Sequence, residues 1–406
     1  MRRSVGLAAA YGIAALAWAV AGDALPGGRW LAIHLFTLGT LTNAVSSLSL
    51  HFGQALLHAQ PDHSPELPRL AARNLAVLAV LLGVVNVWTV AVAVGSTVVA
   101  GDVCVTWWLL RRARKRSLPG RFGFVVRAYE RACGAFLLGA VLGALLGTGV
   151  FSGRWYAAGR LAHLHVMLLG WAGLPILATV VFFVPTVARA RIAPGADSAS
   201  ARALRLAPLA LAVATFALLL TGLGGRAGTG FRLLAGAAVL GFAIAAAVVG
   251  GWAWRAGTGA APPGSASLVR YASLALPAAC SAQTTLLLLD EAAAMDAVGA
   301  FYLTSALVAS LLGSAPYLLV MSSSGEAPER RHALERVARS GRPRLALLIG
   351  ASALLTMAHA ARDASGWAEG AQRVGWLALM VTAAWTLGSV HTGRVERSVG
   401  VGHAPG

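Results

Sequence analysis

The chain is short of charge, of lysine and of cysteine. Only 12% of its 406 residues are charged, against about 25% in a typical soluble domain. Of the rest, 57% of the chain is apolar and the mean hydropathy is +0.70. Lysine occurs once, at Lys115, so the basic residues are almost all arginine, a coding bias without mechanistic content. Cys104, Cys133 and Cys280 form no CxxC and no CxxCH, which excludes covalent c-type haem attachment and a zinc knuckle. They read as small buried apolar side chains. Walker A, GxSxG and HExxH motifs are absent, as is a Rossmann fingerprint following a strand, so hydrolysis of nucleotides or esters has no support. No linker exceeds about 23 residues, which leaves no soluble domain and no attached soluble electron carrier.

What the chain has is long apolar runs. About 20 residues at 1.5 Å each cross a bilayer. Span 1 is read at Ser4–Ala24 and span 2 at Trp30–Leu57. Asn74–Leu110 is too long for one span and is divided at Gly95-Ser96 into spans 3 and 4. Spans 5 to 8 follow at Ala128–Thr148, Arg160–Val184, Leu206–Leu223 and Leu233–Trp254. Spans 9 to 12 are Leu268–Leu289, Val298–Met321, Leu345–Ala361 and Val374–His391. The fold class is therefore an all-α, polytopic bundle of about twelve transmembrane helices, a single domain over residues 1–406. Basic cytoplasmic loops are expected at 111–127, 188–205 and 322–344, the last two polar and mobile. Met1-Arg2-Arg3 before an apolar run also resembles a secretory signal. A retained first span is the preferred reading, because cleavage would leave eleven.

The basic residues orient the bundle. With a cytoplasmic N-terminus, only Arg29, Arg154, Arg160, Arg226, Arg232, Arg362 and Arg373 fall outside, and the other 26 of the 33 lie in or beside the tails and the loops after even-numbered spans. That is the positive-inside asymmetry, giving an N-in, C-in protein of a bacterial plasma membrane. The formal net charge of +18 would ordinarily point to nucleic acid. Here it borders apolar spans, where it meets anionic lipid heads. The implied partner is the lipid bilayer, with no nucleic acid.

At these depths the histidines fall into register. His34, His163, His165 and His359 all lie near the outer ends of their spans, and imidazoles gathered at one level of a membrane point to haem or copper. His34 lies roughly 6 Å below the outer boundary; its bland alternative is a bond to a backbone carbonyl. His51, 17 residues on, is roughly 25 Å further in along the same helix, so it would serve a second, inner metal site, a proton path or a structural contact. His163 and His165 point about 200° apart on a regular helix. His163 shares a stripe with Gly170, where a missing side chain would admit a macrocycle or a close helix, and is slightly favoured. His165 belongs instead to a weak repeat: His34-Leu-Phe-Thr-Leu-Gly39 and His165-Val-Met-Leu-Leu-Gly170 are both H-x4-G, both in spans running inward. His359, so near its span end, is otherwise a solvated terminal residue. His58, His63, His332, His391 and His403 read as loop, tail or helix-end residues.

Asp102 in span 4 and the Glu130-Arg131 pair in span 5 are further intramembrane polar candidates, the pair being otherwise interfacial snorkelling. Asn43, Asn86 and Gln283 read as helix-to-helix hydrogen-bonding residues.

Twelve spans and a histidine in the outer part of span 2 resemble the haem–copper oxidase subunit I superfamily. The likeness is closer to NnrS-type haem- and copper-containing membrane proteins and to the membrane domain preceding actinobacterial multicopper oxidase or copper nitrite reductase modules. It is carried by His34–Asn43 with Ser49–Phe52, by Leu118–Phe122, by His163–Gly173, by Val184–Ile192 and by Leu311–Leu319. The resemblance implies an oxidase-like bundle with His34, His51 and His163 as ligands of haem b or copper. It implies a redox or nitric-oxide/copper-stress component with a redox partner. Spans 7 and 10 contain no histidine, so a three-histidine copper centre and proton-pumping oxygen reduction do not carry over. The alternatives are a permease-like transporter using Asp102, His34 and glycine-rich helix faces, or a structural membrane partner whose metal site has decayed.

Overall fold

The computed structural model describes residues 2–59, 66–118, 120–256, 264, 266–291, 294–322, 326–361 and 367–400. Among them there is no strand, and twelve helices are long and apolar enough to cross a membrane. The protein is an all-α, polytopic membrane protein. His63, His403 and Arg362, and the side chain of His391, lie outside the described residues.

The spans are Arg3–Ala24, Gly28–Leu56, Glu66–Val85, Thr89–Arg116, Gly123–Gly147 and Gly153–Ala188, then Ala196–Leu223, Gly225–Arg255, Ser267–Leu289, Met295–Met321, Gly341–Ala360 and Ala368–Val390. Several boundaries differ from the sequence reading, spans 6 and 8 beginning at Gly153 and Gly225 where Arg160 and Leu233 were expected, and three differences have a physical reason. Span 3 begins at Glu66, not Asn74, because Arg69 and Arg73 sit inside the helix with their charges paired across to span 4. The turn between spans 3 and 4 is Asn86–Trp88, with Val87 at φ 58°, and not Gly95-Ser96. Gly95 instead lets two helices touch, since a Cβ there would stand 2.7 Å from the Ala76 carbonyl oxygen. Lastly, the basic connections are largely helical. Span 4 continues through Arg116, span 7 already begins at Ala196, and Ala327–Arg339 forms a separate amphipathic helix between spans 10 and 11.

Three spans contain a π-helical segment: Leu35–Leu41 in span 2, Val166–Gly173 in span 6 and Tyr302–Val308 in span 10. Such i→i+5 turns are rare and concentrate at functional positions.

The chain divides into two compact units. Unit 1 comprises Met1–Thr179, Gly195–Val249 and Cys280–Ala292; unit 2 comprises Val180–Pro194, Gly250–Ala279 and Ala293–Gly406. In unit 1, Trp171 and Phe136 are both buried and meet edge-on at 4.8 Å, and the buried Tyr129 hydroxyl bonds to Thr179 at 2.8 Å. In unit 2, hydroxyls hold the π segment of span 10. Ser305 and Thr304 each lie 2.6 Å from Ser352 Oγ of span 11, and Tyr271 donates to Ser305 at 2.9 Å.

Candidate functional site

Span 2 delivers His34 at the last α-helical residue before its π segment. Its Nδ1 lies 2.8 Å from the Trp30 carbonyl oxygen one turn earlier, and its ring stacks on the Trp30 indole at 4.0 Å. His163, in the α-helical first part of span 6, reaches across to span 5. There its Nδ1 lies 2.8 Å from the Gly139 carbonyl oxygen, and its ring covers Gly143, where a Cβ would stand 2.8 Å from Cε1. Both imidazoles are half-buried. Gly170 faces the same helix, span 5, through Ala135. Ala135, Gly139 and Gly143 thus form a small-residue groove along which span 6 runs, and such grooves let membrane helices approach closely.

The hydrogen bonds decide the tautomer. A carbonyl oxygen only accepts, so the bonded Nδ1 must carry the proton, and in a neutral ring Nε2 then holds the lone pair. This holds for His34 and His163. It holds equally for His165, bonded to the Leu161 carbonyl at 2.8 Å, and for His359, bonded to the Leu355 carbonyl at 2.7 Å. Orienting one ring nitrogen through a backbone carbonyl is how proteins fix a metal-ligating histidine. His165 is completely buried and its Nε2 has no hydrogen-bond partner. His359 is buried in unit 2. His51 is exposed, its ring 5.6 Å from that of Phe52.

The acidic candidates have structural partners. Asp102 Oδ2 accepts from Arg73 Nε at 2.7 Å and Oδ1 from Arg69 Nε at 3.1 Å, while Arg69 also donates to Thr106 Oγ1 at 3.0 Å. Asn43 and Asn74 bond to each other at 2.9 Å, and Asn43 also donates to the Gly39 carbonyl inside the π segment at 2.9 Å. Glu130 does not engage its neighbour Arg131. It accepts two bonds from Arg114 of span 4, at 2.7 and 3.1 Å, while Arg131 donates to the Leu204 carbonyl at 2.7 Å.

Sequence reasoning missed Arg69 and Arg73, which it left between spans. The available signal was Asp102 itself, because a carboxylate inside a membrane requires a cation.

The residues present fit one kind of group better than another. Imidazoles with Nδ1 bonded to a carbonyl and the lone pair on Nε2 are of the kind that ligates a haem iron. A copper centre with three histidine ligands does not fit, since no group of three or more His, Cys, Asp or Glu side chains gathers among the described residues.

No protein-family model and no curated protein matches this chain.

Proposed function

We propose that this protein binds haem b at the outer level of unit 1, where His34 and His163 would hold it through Nε2. In this reading it serves as a redox or nitric-oxide/copper-stress component of a bacterial plasma membrane. The observation that carries it is that two half-buried imidazoles of unit 1 both have their Nδ1 protons committed to backbone carbonyls. A haem in that position would supply one-electron chemistry to a redox partner in or at the membrane. The chain's own part is to hold both rings, to stack His34 on Trp30 and to seat His163 over Gly143. His165, also in unit 1, has the same committed Nδ1 and stands as a further ligand, for haem or for copper. His51, exposed near the inner end of span 2, is outside this site.

The test is the absorption spectrum and metal content of the purified protein. A Soret band is expected, lost in His34→Ala and in His163→Ala and largely retained in His165→Ala and His51→Ala. A colourless protein carrying copper would replace haem by the metal. A colourless, metal-free protein that takes up neither on reconstitution would overturn the reading and favour the permease-like alternative.

A further inference from the structure

The cytoplasmic end of unit 2 gathers guanidinium groups, and two of them, Arg270 and Arg336, make no ion pair with a carboxylate among the described residues. The amphipathic helix Ala327–Arg339 opens with a capping box, so Glu329 is engaged with the Glu326 backbone N–H at 3.0 Å, and Glu335 stands 3.6 Å from His332. Arg344, only 2% exposed, holds the other end of this helix. It donates to the Val337 carbonyl at 2.9 Å, to the Ser340 carbonyl at 3.2 Å and to Thr386 Oγ1 at 3.2 Å. A cation on the last carbonyls of a helix complements its dipole, and these bonds fasten the helix to spans 11 and 12.

Span 9 meets it at the same corner. Gly264, just ahead of span 9, packs on the Ala338 carbonyl and on Gly341, and Ser267 Oγ donates to the Gly264 carbonyl at 2.9 Å. One turn along, Arg270 lies over the Trp254 ring at 4.4 Å and donates to the Trp254 carbonyl at 2.9 Å. The Nε of Arg270 and the Nε of Arg336 are both buried without a hydrogen-bond partner. Buried N–H groups rarely go unpaired in folded proteins, and here two such guanidinium donors belong to elements joined at one corner. No ion pair of either arginine occurs among the described residues.

We propose that this corner binds the phosphodiester of an anionic inner-leaflet phospholipid, with Arg270 and Arg336 as its ligands. A phosphodiester presents two anionic oxygens to which guanidinium forks are matched. The surroundings favour a lipid over a free anion. Trp254 is 45% exposed, and Leu274, one turn deeper than Arg270, is 38% exposed. This is the pattern of an interfacial aromatic above an acyl-chain surface. Zwitterionic lipids bring their own cation and would leave the excess positive charge unanswered.

The experiment is native mass spectrometry of the purified full-length protein titrated with phosphatidylglycerol or phosphatidylcholine. Retention of phosphatidylglycerol at least about tenfold above phosphatidylcholine is expected, the size of one charge-assisted contact. Arg270→Gln/Arg336→Gln should lose that preference, whereas Arg331→Gln/Arg339→Gln, which removes equal charge from exposed positions of the same helix, should keep it. Equal retention of the two lipids by the wild-type protein would overturn the proposal without reference to any variant. So would equal loss in both double variants, which would mean diffuse surface charge. Displacement of the lipid by millimolar inorganic phosphate would assign the site to a free anion instead.

Discussion

Replacing Asp102 by Ala isolates the most heavily buried ionic interaction of unit 1. Asp102 and Arg73 are 8% and 5% exposed and meet at 2.7 Å. Removing one partner of a buried pair typically costs about 3–5 kcal/mol, because the other charge is left without compensation. The lower end applies here, about 3 kcal/mol, since an unfolded chain in a membrane also finds polar partners. Arg69 has a 19% exposed side chain, and Arg69→Ala should cost about 1 kcal/mol or less. The replacement of both buried partners by apolar residues, Arg73→Met with Asp102→Leu, should recover most of the loss. Unfolding by SDS in mixed micelles measures each of these, and wild type, Arg73→Met, Asp102→Leu and their double variant close a cycle that isolates the pair. A coupling energy below about 0.5 kcal/mol, the additivity limit for independent sites, would refute the reasoning and make the pair a solvated surface contact.

Other outcomes follow from the same geometry. Reporters fused at Arg121 and Arg336 should read cytoplasm and one at Gly153 the outer side; Arg121 outside would overturn every depth assignment. Gly95→Val should destabilise by about 1–3 kcal/mol as an overpacked contact, because its Cβ would meet the Ala76 carbonyl at 2.7 Å and Val80 N at 3.0 Å. Gly101→Ala, with nothing within 4 Å, should be neutral or slightly stabilising in thermal unfolding. Gly143→Ala places a methyl 2.8 Å from His163 Cε1. It should shift the spectrum of any bound haem more than it lowers the yield of folded protein, and an unchanged spectrum would detach His163 from the site.

Most of the bundle was legible because hydropathy and the positive-inside bias are properties of single residues summed over a window. Pairing was not. Arg69 and Arg73 count as loop residues on any local scale, and only their bonds to Asp102 make them part of a helix in the membrane. Gly95 reads as a break by composition, yet its missing side chain is used for close packing in an unbroken helix. Glu130 and Arg131 are adjacent in sequence and face different partners, as neighbours on a helix must. The four histidines His34, His163, His165 and His359 were visible as candidates from their places in the spans. Which ring nitrogen each leaves open depends on carbonyls that no sequence spacing names.

The H-x4-G repeat carried more than its short pattern implied. A π turn closes over five residues, the interval that separates His34 from Gly39 and His165 from Gly170, and each histidine is the residue immediately preceding its π segment. A reading at 3.6 residues per turn would set histidine and glycine on diverging faces, whereas the wider turn brings them back toward one side. The third π segment, in span 10, is preceded by Phe301 instead. Spans 2, 6 and 10 therefore recur at intervals of four with one backbone irregularity, and only two of the three equivalent positions hold an imidazole. Of those two, His34 is half-buried and stacks on Trp30, while His165 is completely buried with its Nε2 unpartnered. The π segment thus recurs whether or not an imidazole precedes it, so the irregularity belongs to the backbone of these spans and not to histidine as such. In span 6 the ring that reaches the small-residue groove of span 5 is that of His163, two residues earlier, because the π segment begins only after His165 and leaves His163 on the regular helix face.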